Sequence, residues 1–411
     1  MENTATPLPL DGIKVVDLTT VLMGPFATQI LGDYGADVIK VEAPEGDPVR
    51  GIGPFRHPGM GAIFLNANRN KRSIVLNLRD PEGKALLHRL IAEADVLAYN
   101  LRPQVMAQLG LDYEAVAAIN PRIIYLGMFG FARGGPYAER PAYDDLIQGM
   151  TGVASLLQAS GGKDPCYVPL AIVDRITGMA AVNAVLLALV QRMRTGQGQS
   201  LDVTMFETMA RFSLADHLGG ATFIPQRGPT HYQRLVTPER RPYQTLDGWI
   251  CVVVYSDKQW RSFFRAIGRE AEFDANPALS DISHRSDNIA TLYQMVARAL
   301  LDKSTAEWLE LLGSADIPAA PILSIDDMLA DPQLQAGSLL GETEHPSEGR
   351  LRVVGDGSSG SVTNWSYRRP APRLGEHSAE ILSSLGCSAQ AVEALAERGI
   401  TSNPSRQPPT S

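Results

Sequence analysis

One carboxylate, Asp174, breaks the apolar run VPLAIVDRITGMAAVNAVLLALV at residues 168–190. A helical pattern begins right after it, and Asp is among the best helix N-caps, so the plain reading is a cap. A carboxylate at such a junction, flanked by apolar groups, is also partly desolvated, which suits a nucleophile or a proton-transfer group. Asp144, in RPAYDDLIQGMTG, is the second candidate. Tyr143, Asp144 and Gln148 fall at spacings that could share a helix face, against the plainer reading of a solvated helix start. Other chemistry is thin. His57, His88, His217, His231, His284, His345 and His377 form no HExxH or other ligand spacing, and no GxSxG occurs. Local motifs therefore support neither a metal site nor a Ser-His-Asp site. Cys166, Cys251 and Cys387 lie far apart and read as reduced thiols of a cytoplasmic protein.

The elements that must position these groups alternate. GIKVVDL (12–18), DVIKVE (37–42), SIVLNL (73–78), DVLAYN (95–100) and RIIYLGMFGF (122–131) read as strands. GPFATQILGDYGA (24–36) and DPEGKALLHRLIAEA (80–94) read as helices between them. Strands joined by helices predict an α/β fold with a mostly parallel sheet and right-handed crossovers. Ligands on such sheets collect at the carboxyl ends of strands. The loop after the first strand, the end of SIVLNL, and Asn100 are therefore candidate ligand positions. No GxGxxG follows the first strand, and the pairs Gly51/Gly53 and Gly196/Gly198 lack a third glycine, so a nicotinamide dinucleotide is not expected. TGQGQ reads as the turn between helix 176–194 and the strand SLDVTMF (200–206).

The chain has 411 residues, which predicts two domains or one large elaborated domain, and its 44% apolar and 20% charged residues are those of a globular protein. Composition divides it into a large first part, 1–225; a turn-rich α+β domain, 226–330; a segment, 331–400, that returns to strand and helix character; and a polar, Pro-rich flexible tail, 401–411. The net charge of −8, with both signs mixed, argues against nucleic acid as a partner. MENTATPLPLDG lacks the pattern of a signal peptide. The apolar helix 176–191 falls short of the ~20 residues of a membrane span and reads as a buried core helix. No membrane is expected.

Several runs resemble one family. DLTTVLMGPFATQILGDYGADVIKVEAPEGDPVR is similar to the opening of the third class of CoA-transferases, the family of formyl-CoA:oxalate and carnitine or bile-acid CoA-transferases. NANRNKRSIVLNLRDPEGKALLHRLIAEADVLAYNLRP continues it. GFARGGPYAERPAYDDLIQGMTG, VDRITGMAAVNAVLLALVQRMRTGQGQSLDVTMFE, RPYQTLDGWI and RLGEHSAEIL follow in order, so the resemblance runs from about residue 9 to 398.

This resemblance implies a Rossmann-like, CoA-binding large domain formed by 1–225 and 331–400, and a homodimer whose chains interlock. It implies that Asp174 is the nucleophile, attacking an acyl-CoA donor to give an aspartyl anhydride and then an aspartyl-CoA thioester. A carboxylic acid acceptor then takes the CoA. Coenzyme A enters as substrate, with no permanently bound cofactor. The helix start beside Asp174 is expected to keep it ionised. CoA contacts are implied at Val21, Leu22, Met23, Leu76, Asn100, Leu101, Tyr143, Asp144 and Met205. Arg72 and Arg102 are candidates for its phosphates, because Arg suits bidentate phosphate contacts. The basic loop 226–241, with Arg227, His231, Arg234, Arg240 and Arg241, is a candidate for reading a second carboxylate on a dicarboxylic acid of the succinate, itaconate or mesaconate type; the plain reading is a solvated basic loop.

Departures narrow the expectation. Leu22 stands where formyl-CoA transferase has Gln, Ala43 and Gln108 stand where it has basic residues, and PQRGPTHYQRLVTPERRP replaces its glycine-rich loop. These changes argue against formate and oxalate. The sister α-methylacyl-CoA racemases use a His-Asp pair where this chain has Tyr143-Asp144, which removes one of the two acid/base groups a racemase needs. Racemase chemistry and a non-catalytic CoA-binding protein are the alternatives.

Overall fold

A computed structural model describes residues 7–337 and 339–402. The tail expected at 401–411 lies outside them from residue 403 onward. Contacts divide the chain into two compact units. The first runs to Ile147, includes Leu170–Met209, and resumes at Pro332; the second is Gln148–Pro169 with Ala210–Asp331.

The first unit is built on six strands: β1 (Lys14–Leu18), β2 (Asp37–Glu42), β3 (Lys71–Val75), β4 (Val96–Tyr99), β5 (Ile124–Phe129) and β6 (Gln199–Thr204). Their order is β3-β2-β1-β4-β5-β6, and every neighbouring pair is parallel. The apolar runs explain this layering. All four residues of β4 are buried, as a strand covered on both faces requires. One face packs Leu97, Tyr125 and Ile74 against Leu87 and Ile91 of the helix Pro81–Glu93. Ile381 and Leu382, from the C-terminal helix Ser378–Ser384, join the same core. Thr401 Oγ1 donates to the Val75 carbonyl at 2.8 Å and closes the C-terminal segment onto β3. The strand order reverses between β1 and β4, and such a switch point opens a crevice at the carboxyl ends. A separate antiparallel hairpin pairs β10 (Leu340–His345) with β11 (Gly349–Val354).

The second unit holds the antiparallel sheet β7 (Tyr243–Gln244), β8 (Trp249–Val252) and β9 (Ala319–Pro321). Its core is aromatic: Trp260, Phe263 and Phe264 from the helix Asp257–Ala266, with Trp308. Ser256 with Gln259, and Ser304 with Glu307, form capping boxes that start two of its helices.

The structure differs from the sequence reading in several places. The region 104–119 is two helices, Pro103–Gln108 and Tyr113–Ile119, separated where Gly110 takes a φ of +70°. β3 ends at Val75, because the Asn77 N–H leaves the sheet to bond the Ile400 carbonyl. β6 ends at Thr204, and Met205 opens the helix Met205–His217 instead of lying in the strand. The second unit begins at Ala210 instead of 226 and takes in Gln148–Pro169.

The apolar helix is longer than expected. It spans Ile172–Thr195, 24 residues, with a mean hydropathy of 1.6 over its most apolar 18-residue stretch, long and apolar enough by composition to cross a membrane. It is buried on one face only. Val173, Gly178, Ala181, Val185 and Leu189 face the unit's interior, while Met179, Leu186, Leu187, Val190 and Met193 are exposed.

Candidate active site

The crevice at the carboxyl ends of the strands is a cavity of about 430 Å³. Thr20, Val21, Leu22 and Met23 line it after β1, Asn100, Leu101 and Arg102 after β4, and Gly130 and Phe131 after β5. Tyr143, Asp174 and Met205 complete the wall. Its size falls within the roughly 300–1,000 Å³ of small-molecule sites.

The loop after β1 is held from two sides. Asn100 clamps Thr20: its Oδ1 accepts the Thr20 N–H at 2.9 Å and its Nδ2 donates to the Thr20 carbonyl at 2.9 Å. Val21 takes a φ of +69°, costly for a β-branched residue, and its N–H donates to Asp47 Oδ1 at 3.1 Å. Beneath the loop, Lys40 bonds both the Thr19 carbonyl (2.8 Å) and Asp47 (2.9 Å), and Lys71 bonds both Asp17 (3.0 Å) and the Pro25 carbonyl (2.8 Å). Lys40, Lys71, Asp17 and Asp47 are all fully buried, so each charge depends on its partners.

The long helix carries Asp174 to this loop. A Cβ on Gly178 would lie 2.9 Å from the Met23 carbonyl and 3.0 Å from the Phe26 ring, so only glycine lets the two helices approach so closely. Asp174 lies one turn before Gly178 on the same helical face, which aims it at the start of the helix Met23–Asp33. Gly130 does the same for the opposite wall, where a Cβ would lie 2.2 Å from the Ala142 side chain, just before Tyr143 and Asp144.

Asp174 is not the cap of its helix. It is the third residue of Ile172–Thr195, and the N-cap residue Ala171 offers no side-chain bond. Asp144 supplies the cap: its Oδ2 accepts the N–H groups of Val173 (2.8 Å) and Asp174 (3.0 Å). The Asp174 carboxylate itself accepts no hydrogen bond among the described residues. Burial and then the nearby Asp144 charge push its carboxyl up to about 6, against a smaller opposing pull from Arg175. The helix start therefore does not hold Asp174 ionised below its ordinary range, because Asp144 occupies the N–H groups that would do so. Arg175 lies over the Phe26 ring, 4.4 Å from its centroid.

Three guanidiniums line the cavity. Arg102 and Arg140 meet no carboxylate among the described residues, and Arg140 stacks on Tyr137 at 4.4 Å. Arg133 is braced by Asp202 at 2.9 Å and by the Tyr99 hydroxyl at 3.0 Å. Among the described residues no group of three His, Cys, Asp or Glu side chains is placed to hold a metal ion.

The family model for CoA-transferase family III matches residues 10–378. The chain belongs to CoA-transferase family III. It is 36% identical over 392 residues to the succinate–glutarate CoA-transferase of Agrobacterium fabrum, covering 92% of this chain and 96% of that one. It is 33% identical to the human succinyl-CoA:glutarate CoA-transferase, covering 91% of this chain and 85% of that one. Among solved structures, a CAIB/BAIF family protein from Brucella suis matches with a TM-score of 0.77 at 34% identity, covering 92% of this chain and 100% of the other.

Of the residues marked in the sequence of this CoA-transferase, Val21, Leu22, Met23, Asn100, Leu101, Arg102, Tyr143, Asp174 and Met205 all line the cavity. Two were not well placed. Arg72 lies near the amino end of β3, away from the ligand edge, and pairs with Asp37 and Glu380. Leu76 is fully buried in the core. Tyr143 and Gln148 do not share an environment either, since Tyr143 is 75% exposed and Gln148 is fully buried. Asp144 acts on the site through the helix start. Arg227, His231, Arg234, Arg240 and Arg241 all belong to the second unit; Arg234, Arg240 and Arg241 line a cavity there, and Arg227 and His231 do not. Arg133 and Arg140 were missed. The signal was available, since ARGGPYAERP directly follows the carboxyl end of an expected strand.

Proposed function

We propose that this CoA-transferase moves CoA between short dicarboxylic acids, with succinyl-CoA as donor class, through a covalent intermediate on Asp174. The observation that carries this reading is the Asp174 carboxylate, partly buried at the switch-point crevice and free of hydrogen bonds among the described residues. A carboxylate with a raised pKa is the stronger nucleophile once ionised, because it is less stabilised by its surroundings. The names of the Agrobacterium fabrum and human relatives support the dicarboxylate class.

The Asp174 carboxylate attacks the thioester carbonyl, and the C–S bond breaks to give a mixed anhydride and CoA thiolate. The thiolate attacks the aspartyl carbonyl, forming aspartyl-CoA thioester and releasing the donor acid. The acceptor carboxylate then reverses the sequence. The Met23 N–H, a first-turn donor without an intrahelical acceptor on a cavity-lining residue, stabilises the oxyanions. Arg102 and Arg140 receive the CoA phosphates. The exposed stripe Met179–Leu186–Leu187–Val190–Met193 is covered by a second copy of the chain in a homodimer. Three free cysteines suit a reducing, cytoplasmic setting.

The test is mass spectrometry of the Asp174 peptide after incubation with succinyl-CoA and hydroxylamine. A hydroxamate on Asp174 is expected, together with CoA transfer to glutarate. Exchange of the α-proton into deuterated solvent without acyl transfer would replace this reading with racemase chemistry.

A further inference from the structure

The second unit holds a cavity of about 300 Å³ of its own, lined by Arg234, Arg240 and Arg241 together with Tyr243, Tyr293 and Val252. Elsewhere in this unit Arg261 pairs with Asp274 at 3.0 Å, Arg265 with Glu270 at 2.8 Å, Arg269 with Glu272 and Arg285 with Asp257, whereas Arg211, Arg227 and Arg298 form no ion pair among the described residues. The three cavity arginines have no such ion pair among the described residues. Arg234 stacks over the Tyr255 ring at 5.0 Å. Glu239 feels the charge of Arg241, but its carboxylate already accepts bonds from Thr237 and Gln294. Three like charges held around one hollow repel each other, and an anion in the hollow relieves that repulsion.

We infer that this cavity, whose lining shares no residue with that of the Asp174 crevice, is a second anion site and that it takes a short dicarboxylate. Guanidinium forks match carboxylates two bonds at a time. The apolar wall of Val252 and Val253 suits the methylene spacer between two carboxylates, which a phosphate lacks. The buried phenols of Tyr243 and Tyr293 line the cavity, and burial holds the Tyr243 hydroxyl above its ordinary range, so that it stays protonated as a donor.

Cys251 lines the same cavity and is an exposed free thiol, while Cys166 is exposed in the same unit outside it. Alkylation of the full-length protein by iodoacetamide, read peptide by peptide, therefore reports occupancy with an internal reference. Glutarate at ten times its dissociation constant is expected to slow Cys251 labelling about tenfold and to leave Cys166 unchanged. Acetate at equal ionic strength gives no protection. Arg240→Ala and Arg241→Gln, both at exposed positions, each raise the glutarate concentration for half-protection about tenfold or more. Protection by phosphate equal to that by glutarate, protection by acetate, or an unchanged midpoint in both variants overturns the assignment. Asp174→Asn labels like the parent, so failure here leaves the reading of Asp174 untouched.

Discussion

Asp144 Oδ2 accepts the backbone N–H of Asp174 at 3.0 Å, so one carboxylate caps the helix that presents the other. The same contact places a negative charge beside the proposed nucleophile and, after burial, is the second cause of its raised pKa. The pH–rate profile of kcat/KM is therefore expected to fall on the acid side with a midpoint near 6. Asp144→Asn keeps an acceptor oxygen but removes the charge, and it moves that midpoint to lower pH. Asp144→Ala also removes the cap and costs about 1 kcal/mol in urea unfolding. An unmoved midpoint in Asp144→Asn would rule out the electrostatic coupling.

Asp174→Asn is expected to abolish transfer and hydroxylamine trapping while making the protein more stable. The sign follows from linkage. The Asp174 carboxyl is raised in the folded state, so its proton favours folding, and ionisation above about pH 6 costs stability. Asn carries no such cost. The variant should exceed the parent by on the order of 2–3 kcal/mol at pH 7–8. The gain fades as pH falls through 6 and vanishes below the ordinary carboxyl range, where both states of the parent are protonated. Thermal unfolding at pH 4 and pH 8 compares the two limits.

How much of this site the sequence disclosed depends on how local each cause is. The positions after β1 and β4 were legible because a parallel sheet dictates where ligands gather, and the apolar runs revealed the strands. Asp174 stood out because a lone carboxylate in an apolar run needs a reason. Its helical position was misread because its cap comes from Asp144, 30 residues earlier, and no local pattern announces such a contact. Arg72 was misassigned because residue type alone does not tell the amino end of a strand from its carboxyl end, and β3 begins and ends earlier than its apolar run suggested. The partial exposure of the long helix was hidden for a related reason: its apolar residues run around its circumference, and composition alone cannot show which face is covered.

The arginines separate by their partners into those proposed to bind CoA and those committed to structural ion pairs. Arg102→Ala and Arg140→Ala are expected to raise KM for succinyl-CoA about tenfold each with little change in kcat, and to flatten its dependence on salt. Arg72→Ala leaves KM unchanged, since its guanidinium is committed to Asp37 and Glu380. Steady-state kinetics at two ionic strengths distinguish the three. An Arg72→Ala variant with a raised KM would return that residue to the site.

Gly178→Ala tests whether Asp174 works by placement. The added methyl meets the Met23 carbonyl at 2.9 Å, a backbone atom that cannot rotate aside, so the long helix and the helix Met23–Asp33 must part. Asp174 sits one turn away on the same face and moves with that separation, as does the Met23 N–H. A misplacement of about 1 Å at reacting groups costs roughly 100-fold in rate. The variant is expected to lose about that factor in kcat, while its affinity for CoA, proposed to rest on Arg102 and Arg140, changes little. Circular dichroism should show the helical content retained, since Ala is the better helix former. Unchanged kcat in a folded Gly178→Ala protein would mean that the close contact between the two helices serves packing alone.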